Sequence, residues 1–252
     1  MTEKSESPLA SADYRNTLYH KYVTKFKTTN WQPLSQAQTD WYVRKYLPLL
    51  DGLRPTDPIL DLGCGQGQFM TFLNQHGFLN VEGIDVSPEQ IEIAASHGLK
   101  AKLVDAFEFL ASNGTTYRAI VALDFIEHFH KDELMRLLPL IHGALHLGGV
   151  LVLQTPNGEG LFSQQVIHSD LTHLTIFSPD SLRQLLALMD FTDIRLYETG
   201  PVAKNFKGAI RAGLWRTIKF GANIIRVIET GKRQAIWTEN MICCCRKLDA
   251  GQ

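Results

Sequence analysis

Six short apolar runs, Pro58–Leu62, Val81–Ile84, Ala101–Val104, Ala119–Leu123, Val150–Gln154 and Ile194–Tyr197, alternate with helical stretches such as Gln66–His76, Pro88–His97, Lys131–Leu147 and Ser178–Met189. Such alternation requires parallel strands joined by right-handed crossovers, so the chain predicts a doubly wound α/β sheet. The punctuation agrees. Ser87-Pro88 puts proline at the first position of one helix, Gly77 ends another, and Gly148-Gly149 turns the long helix into the fifth run. At 252 residues with 44% hydrophobic side chains, the chain can bury one full core and carry additions to it.

The first run breaks into three glycines, Gly63, Gly65 and Gly67, spaced by two. Such a turn exposes bare backbone to a ligand and tolerates positive φ angles. Dinucleotides use a G-x-G-x-x-G turn, but Gln68 stands where their third glycine would fall, which argues against a pyrophosphate. Asp61, Asp85, Asp105 and Asp124 each follow or end a strand-like run. In an open α/β sheet, ligands lie at the carboxyl ends of the strands, so these acids are expected to converge on one crevice suited to a cation.

Leu60-Asp61-Leu62-Gly63-Cys64-Gly65-Gln66-Gly67, Gly83-Ile84-Asp85-Val86-Ser87, Asp105-Ala106, Leu123-Asp124-Phe125-Ile126-Glu127-His128 and Leu147-Gly148-Gly149-Val150-Leu151 together resemble the class I S-adenosylmethionine-dependent methyltransferases over residues 45–200. The resemblance implies a seven-stranded, mostly parallel sheet with its last strand antiparallel beside the fifth. It also implies S-adenosylmethionine as cofactor and S-adenosylhomocysteine as product. Gly63, Cys64, Gly65 and Gly67 would admit the methionine portion and Asp61 would orient it. Asp85 with Val86 would hold the ribose, Asp105 with Ala106 would meet the adenine, and Leu123 with Asp124 would close the crevice.

Glu127 and His128 after the fourth run, and His173 in the polar loop after the fifth, are the candidate catalytic residues. Each histidine could instead make a structural hydrogen bond that orients its loop. His168, Asp170 and His173 offer no third well-spaced ligand, so no metal is expected. The loop around His173, the basic insertion and Ile236-Trp237-Thr238 resemble methyltransferases that act in building surface polysaccharides. The acceptor expected is a sugar hydroxyl on an activated or lipid-linked glycan, with a quinone or phenol as the alternative. A catalytically silent cofactor-binding domain is the reading from another class. Nucleic acid is not expected, because no Asn/Asp-Pro-Pro-Tyr motif follows the fourth run and the basic residues cluster in one segment.

The expected organisation is a disordered tail over residues 1–12, an N-terminal helical cap over 13–52, the cofactor-binding core over 53–200, a helical insertion over 201–235, and the last strand with a tail over 236–252. In the insertion, Lys204, Lys207, Arg211, Arg216, Lys219, Arg226, Lys232 and Arg233 stand against Glu229 alone. Ile210, Leu214, Ile218, Ala222 and Ile225 recur at helical spacing. An amphipathic helix packed on the domain, a lid over the acceptor site, and a patch on an anionic membrane through 204–233 all fit. The net charge of −1 gives no global bias toward any anionic partner. The four cysteines match no zinc spacing, no apolar run is long enough to span a bilayer, and the N-terminus lacks the order of a signal peptide, so a cytoplasmic location is expected.

Overall fold

The computed structural model describes residues 18–19, 31–112 and 114–248. The expected tail over 1–12 and most of the expected helix beginning at Asp13 lie outside the described residues. Helix α1 (Gln36–Lys45) leads into the sheet, and Ser35 and Gln38 form a reciprocal capping box at its start. A single sheet follows, with strands β1 (Ile59–Leu62), β2 (Val81–Asp85), β3 (Ala101–Leu103), β4 (Tyr117–Leu123), β5 (Leu145–Pro156), β6 (Thr192–Glu198) and β7 (Asn240–Arg246). Its order is β3-β2-β1-β4-β5-β7-β6, and β7 runs antiparallel to both of its neighbours. The doubly wound sheet is the one the alternation predicts, and its seven strands, the last beside the fifth, are those the resemblance implies.

Alternate residues of the central strands enter separate cores, because successive side chains of a strand point to opposite faces. Leu60, Leu62, Ile120, Ala122, Leu151 and Leu153 pack with helices α4 (Ala106–Ser112), α5 (Lys131–Ala144) and α7 (Pro179–Leu188). Ile59, Val81, Ala119, Val121, Val150 and Val152 pack against Tyr46 and helix α2 (Gln68–Gln75), with Trp41 and Tyr42 of α1 alongside. The cysteine run obeys the same rule: Cys243 and Cys245 join the first core and Cys244 the second, all as free thiols. Helix α3 (Pro88–Ser96) and the short α6 (Ser163–His168) complete the layers.

Several expected boundaries move, for identifiable reasons. Helix α5 stops at Ala144 rather than Leu147, and β5 begins at once at Leu145; the strand register shifts between Tyr117 and Ala119 of its neighbour. Strand β7 begins at Asn240 rather than Ile236. Residues Ile236 and Thr238 are buried, but their carbonyls accept from Asn157 Nδ2 at 3.3 and 2.9 Å rather than from a neighbouring strand. The insertion is one helix, α8 (Phe206–Thr230), capped by Asn205 at its start and by left-handed Gly231 at its end. None of its residues is buried, and Ile210, Leu214, Ile218 and Ile225 of the apolar face read from the sequence are exposed. No helix among the described residues is long and apolar enough to cross a membrane.

Candidate active site

The strand order reverses between β1 and β4, which opens a crevice at their carboxyl ends. A cavity of about 600 Å³ occupies that place. Its walls include Asp61, Asp85, Asp105 and Asp124, so the four acids converge as the sequence predicts. Gly63, Cys64, Gly65, Val86, Ala106, Leu123 and His128 also line it. Gly67, Glu127 and His173 do not.

The glycine turn is held by the protein itself. Gly63 and Cys64 both donate to the Ile84 carbonyl, at 2.9 and 3.0 Å, and Gly65 donates to Asp85 Oδ2 at 2.9 Å. The three glycines have φ of 69°, 55° and 79°, where a side chain is strained. A Cβ on Gly63 would stand 2.6 Å from the Phe125 ring, and one on Gly67 would stand 2.1 Å from Leu99. Gly67 is therefore a glycine of backbone shape and helix packing, outside the ligand wall.

Each acid has its own local role. Asp85 also accepts from Ser87 N at 2.8 Å, so its carboxylate ties β2 to the turn. Asp105 accepts from Phe107 N at 2.8 Å and caps α4. Asp124, at φ 52°, accepts from Gln154 Nε2 at 3.0 Å through both oxygens, and Gln154 Oε1 accepts from Tyr46 OH at 2.6 Å. This buried relay aims Asp124 into the cavity. Tyr46→Phe leaves Gln154 Oε1 without its donor and is expected to cost about 1–3 kcal/mol of stability, measured by urea denaturation; an unchanged midpoint and slope would dismiss the relay.

Asp61 is the residue that asks for a ligand. It is 3% exposed and its Oδ2 has no hydrogen-bond partner. Burial, and secondarily the charge on Asp85, push its pKa up to about 8. An ammonium placed at Oδ2 would satisfy both the lone pair and the charge, so the cavity fits the amino-acid end of S-adenosylmethionine.

The sign of the pH effect follows. Between about pH 4 and 8 the folded carboxyl keeps a proton that the unfolded one has lost, so the cofactor-free protein loses stability as pH rises through that window. Pairing with an ammonium needs the carboxylate, so cofactor affinity is expected to strengthen by up to about tenfold per pH unit from 6 toward 8. Above that, loss of the proton from an α-amino group of pKa about 7.7–8.0 reverses the trend. Calorimetry across this range tests it, and a flat profile would remove Asp61 from the ammonium contact.

Behind His128, away from the cavity, lies a second cluster. Glu127 is fully buried on the 3-10 turn Ile126–His128, and neither carboxyl oxygen has a hydrogen-bond partner. Burial, with a further contribution from Asp124, holds its pKa well above the usual carboxylate range. The Thr155 hydroxyl beside it favours the charged form, but the two close no hydrogen bond and Thr155 Oγ1 is itself unpartnered.

His128 Nδ1 faces the Thr172 carbonyl at 3.1 Å and the Thr172 hydroxyl at 2.9 Å, and that hydroxyl donates to Asp170 at 2.6 Å. His173 Nδ1 faces the Ile167 carbonyl at 3.1 Å. A carbonyl can only accept, so both rings carry a proton on Nδ1. Burial also lowers the pKa of His128, which keeps it neutral. One ligand atom from each of Glu127, His128 and His173 lies within 4.8 Å of the others. Each histidine thus makes through Nδ1 the orienting bond raised as the alternative for it. His168 turns away to Gln164 at 2.9 Å, so the set His168, Asp170, His173 does not assemble.

Other lining residues were not singled out in the sequence. Tyr42 on α1 lines the cavity, with its phenol pushed up to about 12 by burial and by Asp61 and Asp124, so it remains a neutral donor. Tyr19 lines the cavity too and meets the His128 ring edge-on at 6.3 Å. Phe125, Phe129 and Arg136 complete the far wall.

A sheet of this order with an acid-lined glycine turn at its switch point defines a class I S-adenosylmethionine-dependent methyltransferase domain. The profile of the methyltransferase domain matches residues 35–196, and the chain belongs to that family. It is 32% identical to a small RNA 2'-O-methyltransferase of Schizosaccharomyces pombe over 46% of this chain and 35% of that protein. It is 31% identical to a ubiquinone biosynthesis O-methyltransferase of Xylella fastidiosa over 58% and 62%. The matched region thus spans about a third to three-fifths of the length of these curated relatives. A methyltransferase from Archaeoglobus fulgidus has the same fold, with a TM-score of 0.63 and 20% identity over 92% of this chain and 99% of that one.

Proposed function

We propose that the protein transfers the methyl group of S-adenosylmethionine to a hydroxyl oxygen, and that the acceptor class is a sugar hydroxyl on an activated or lipid-linked glycan. The observation that carries the oxygen acceptor is the meeting of His128, which lines the cavity, with His173 and the buried Glu127, each imidazole anchored through Nδ1 on a backbone carbonyl. A hydroxyl has too high a pKa to attack unaided, and a neutral imidazole that takes its proton accelerates the step by about 10² to 10⁴. The acceptor oxygen bonds to the methyl carbon as the carbon–sulfur bond breaks, the proton goes to Nε2, and the products are a methyl ether and S-adenosylhomocysteine. The turn and the acids hold the donor in line for this displacement and keep water out. Both curated relatives described above carry O-methyltransferase names, which agrees with an oxygen acceptor. The reduced cysteines, used as core residues, suit a cytoplasmic enzyme.

A second acceptor, a quinol or phenol, is favoured by the aromatic wall of Tyr19, Tyr42, Phe125 and Phe129. A divalent cation held by Glu127, His128 and His173 is favoured by the compactness of that set, with both Nδ1 atoms anchored on carbonyls as metal-bound imidazoles require. It would lower the hydroxyl pKa in place of a base.

The test is release of S-adenosylhomocysteine with nucleotide sugars and lipid-linked saccharides, catechols, and short RNAs as acceptors, each with and without EDTA. Turnover on the saccharides alone supports the first reading. Turnover confined to catechols or RNA overturns the glycan assignment, and cofactor binding without turnover on any acceptor identifies a silent binding domain. Loss of turnover in EDTA, restored by a divalent ion, places the cation in the mechanism.

A further inference from the structure

Helix α8 is amphipathic the wrong way round for a helix that packs on a core. The face it turns to the protein carries Gly208, Ala212, Trp215, Lys219, Ala222 and Arg226, all half-buried. It is fixed by polar and close contacts. Lys219 pairs with Glu198, Asn223 Oδ1 accepts from Gln234 N at 2.8 Å, and Gly208 approaches the Val202 carbonyl too closely for a Cβ. The opposite face carries Phe206, Ile210, Leu214, Phe220, Ile224 and Ile228, each exposed, with Phe206 at 80% and Ile228 at 81%. At 100° per residue these six fall within about 120° of arc, and no charged residue stands between them. Lys207 and Arg211, with the acid Glu229, border one side of the stripe and Arg216 the other, and Lys232 and Arg233 follow its C-terminal end.

From this geometry we propose that α8 is an interfacial helix that seats the protein on an anionic bilayer. A stripe about 33 Å long, apolar along its centre and mostly basic at its borders, matches a lipid surface, where side chains enter the acyl boundary and cations meet anionic headgroups. Two alternative occupants fit the charge less well. A second copy would set basic borders against basic borders, which disfavours pairing. Residues 13–30 of this chain carry Arg15, Lys21, Lys25 and Lys27 against Asp13 alone, the same sign as the stripe's borders. The helix follows β6 at the carboxyl edge of the sheet, the edge that holds the cavity, so docking would bring the site toward the membrane. The inference stands whichever acceptor proves right.

Sedimentation of the full chain with phosphatidylcholine vesicles, with and without phosphatidylglycerol, tests it. Anionic vesicles are expected to bind at least about tenfold more strongly, with the difference shrinking in high salt. The double variant Ile210→Glu, Ile228→Glu should lose at least about tenfold in vesicle binding while S-adenosylmethionine affinity stays unchanged, which certifies its fold. Lys207→Gln with Arg211→Gln should reduce only the anionic preference. Absence of binding to anionic vesicles overturns the proposal. So does a dimer, seen by light scattering at the assay concentration, that the double glutamate variant dissolves.

Discussion

Asp85→Ala is expected to weaken S-adenosylmethionine binding by at least about a hundredfold while leaving the protein folded. The carboxylate has two jobs that a methyl group cannot do. It accepts the Gly65 and Ser87 amides at 2.9 and 2.8 Å, and so sets the shape of the turn on which the donor lies. It also faces the cavity, where its oxygens can accept the ribose hydroxyls. Hydrogen bonds to a charged group are worth about 1.5–3 kcal/mol each, so losing two to the ligand accounts for the factor. A second consequence identifies the mechanism. Asp85 is one of the two causes that hold a proton on Asp61, so the variant should shift the pH optimum of residual binding downward. Calorimetry reads both, and a dissociation constant within a few-fold of the parent would dismiss the ribose assignment.

Glu127→Met should make the protein more stable and abolish its turnover. A fully buried carboxyl with two unpartnered oxygens costs the fold its desolvation, and an apolar side chain of similar size recovers about 1–3 kcal/mol. Such a group persists where function needs it, and stabilising replacements at active sites commonly cost activity. Turnover is expected to fall by at least about 10², with cofactor affinity held, because Glu127 does not line the donor cavity. Thermal unfolding of the cofactor-free protein and single-turnover kinetics are the two readings. A less stable variant, or one that turns over normally, would return Glu127 to a structural role.

The sheet and the donor site were legible because their signals are local. A run such as Ile59–Leu62 states that both of its faces are covered, and a glycine turn followed by acids at strand ends states where a cationic ligand lies. Boundaries were less legible where a side chain replaces a strand partner, as Asn157 does for Ile236 and Thr238. The Tyr46–Gln154–Asp124 relay joins residues 108 and 30 positions apart, and no periodicity encodes it.

The two histidines and Glu127 were candidates by residue type and by their places after the fourth and fifth strands. That His128 anchors Nδ1 on the Thr172 carbonyl depends on loops 44 positions apart meeting, while His173 anchors on Ile167 within its own loop. Helix α8 makes the same distinction most sharply. Its sequence determined that a basic amphipathic helix would form, because spacing and charge are properties of the segment. Only the tertiary structure decided which face looks outward, since that depends on whether small and polar residues such as Gly208 and Lys219 find closer partners on the domain than the apolar stripe does.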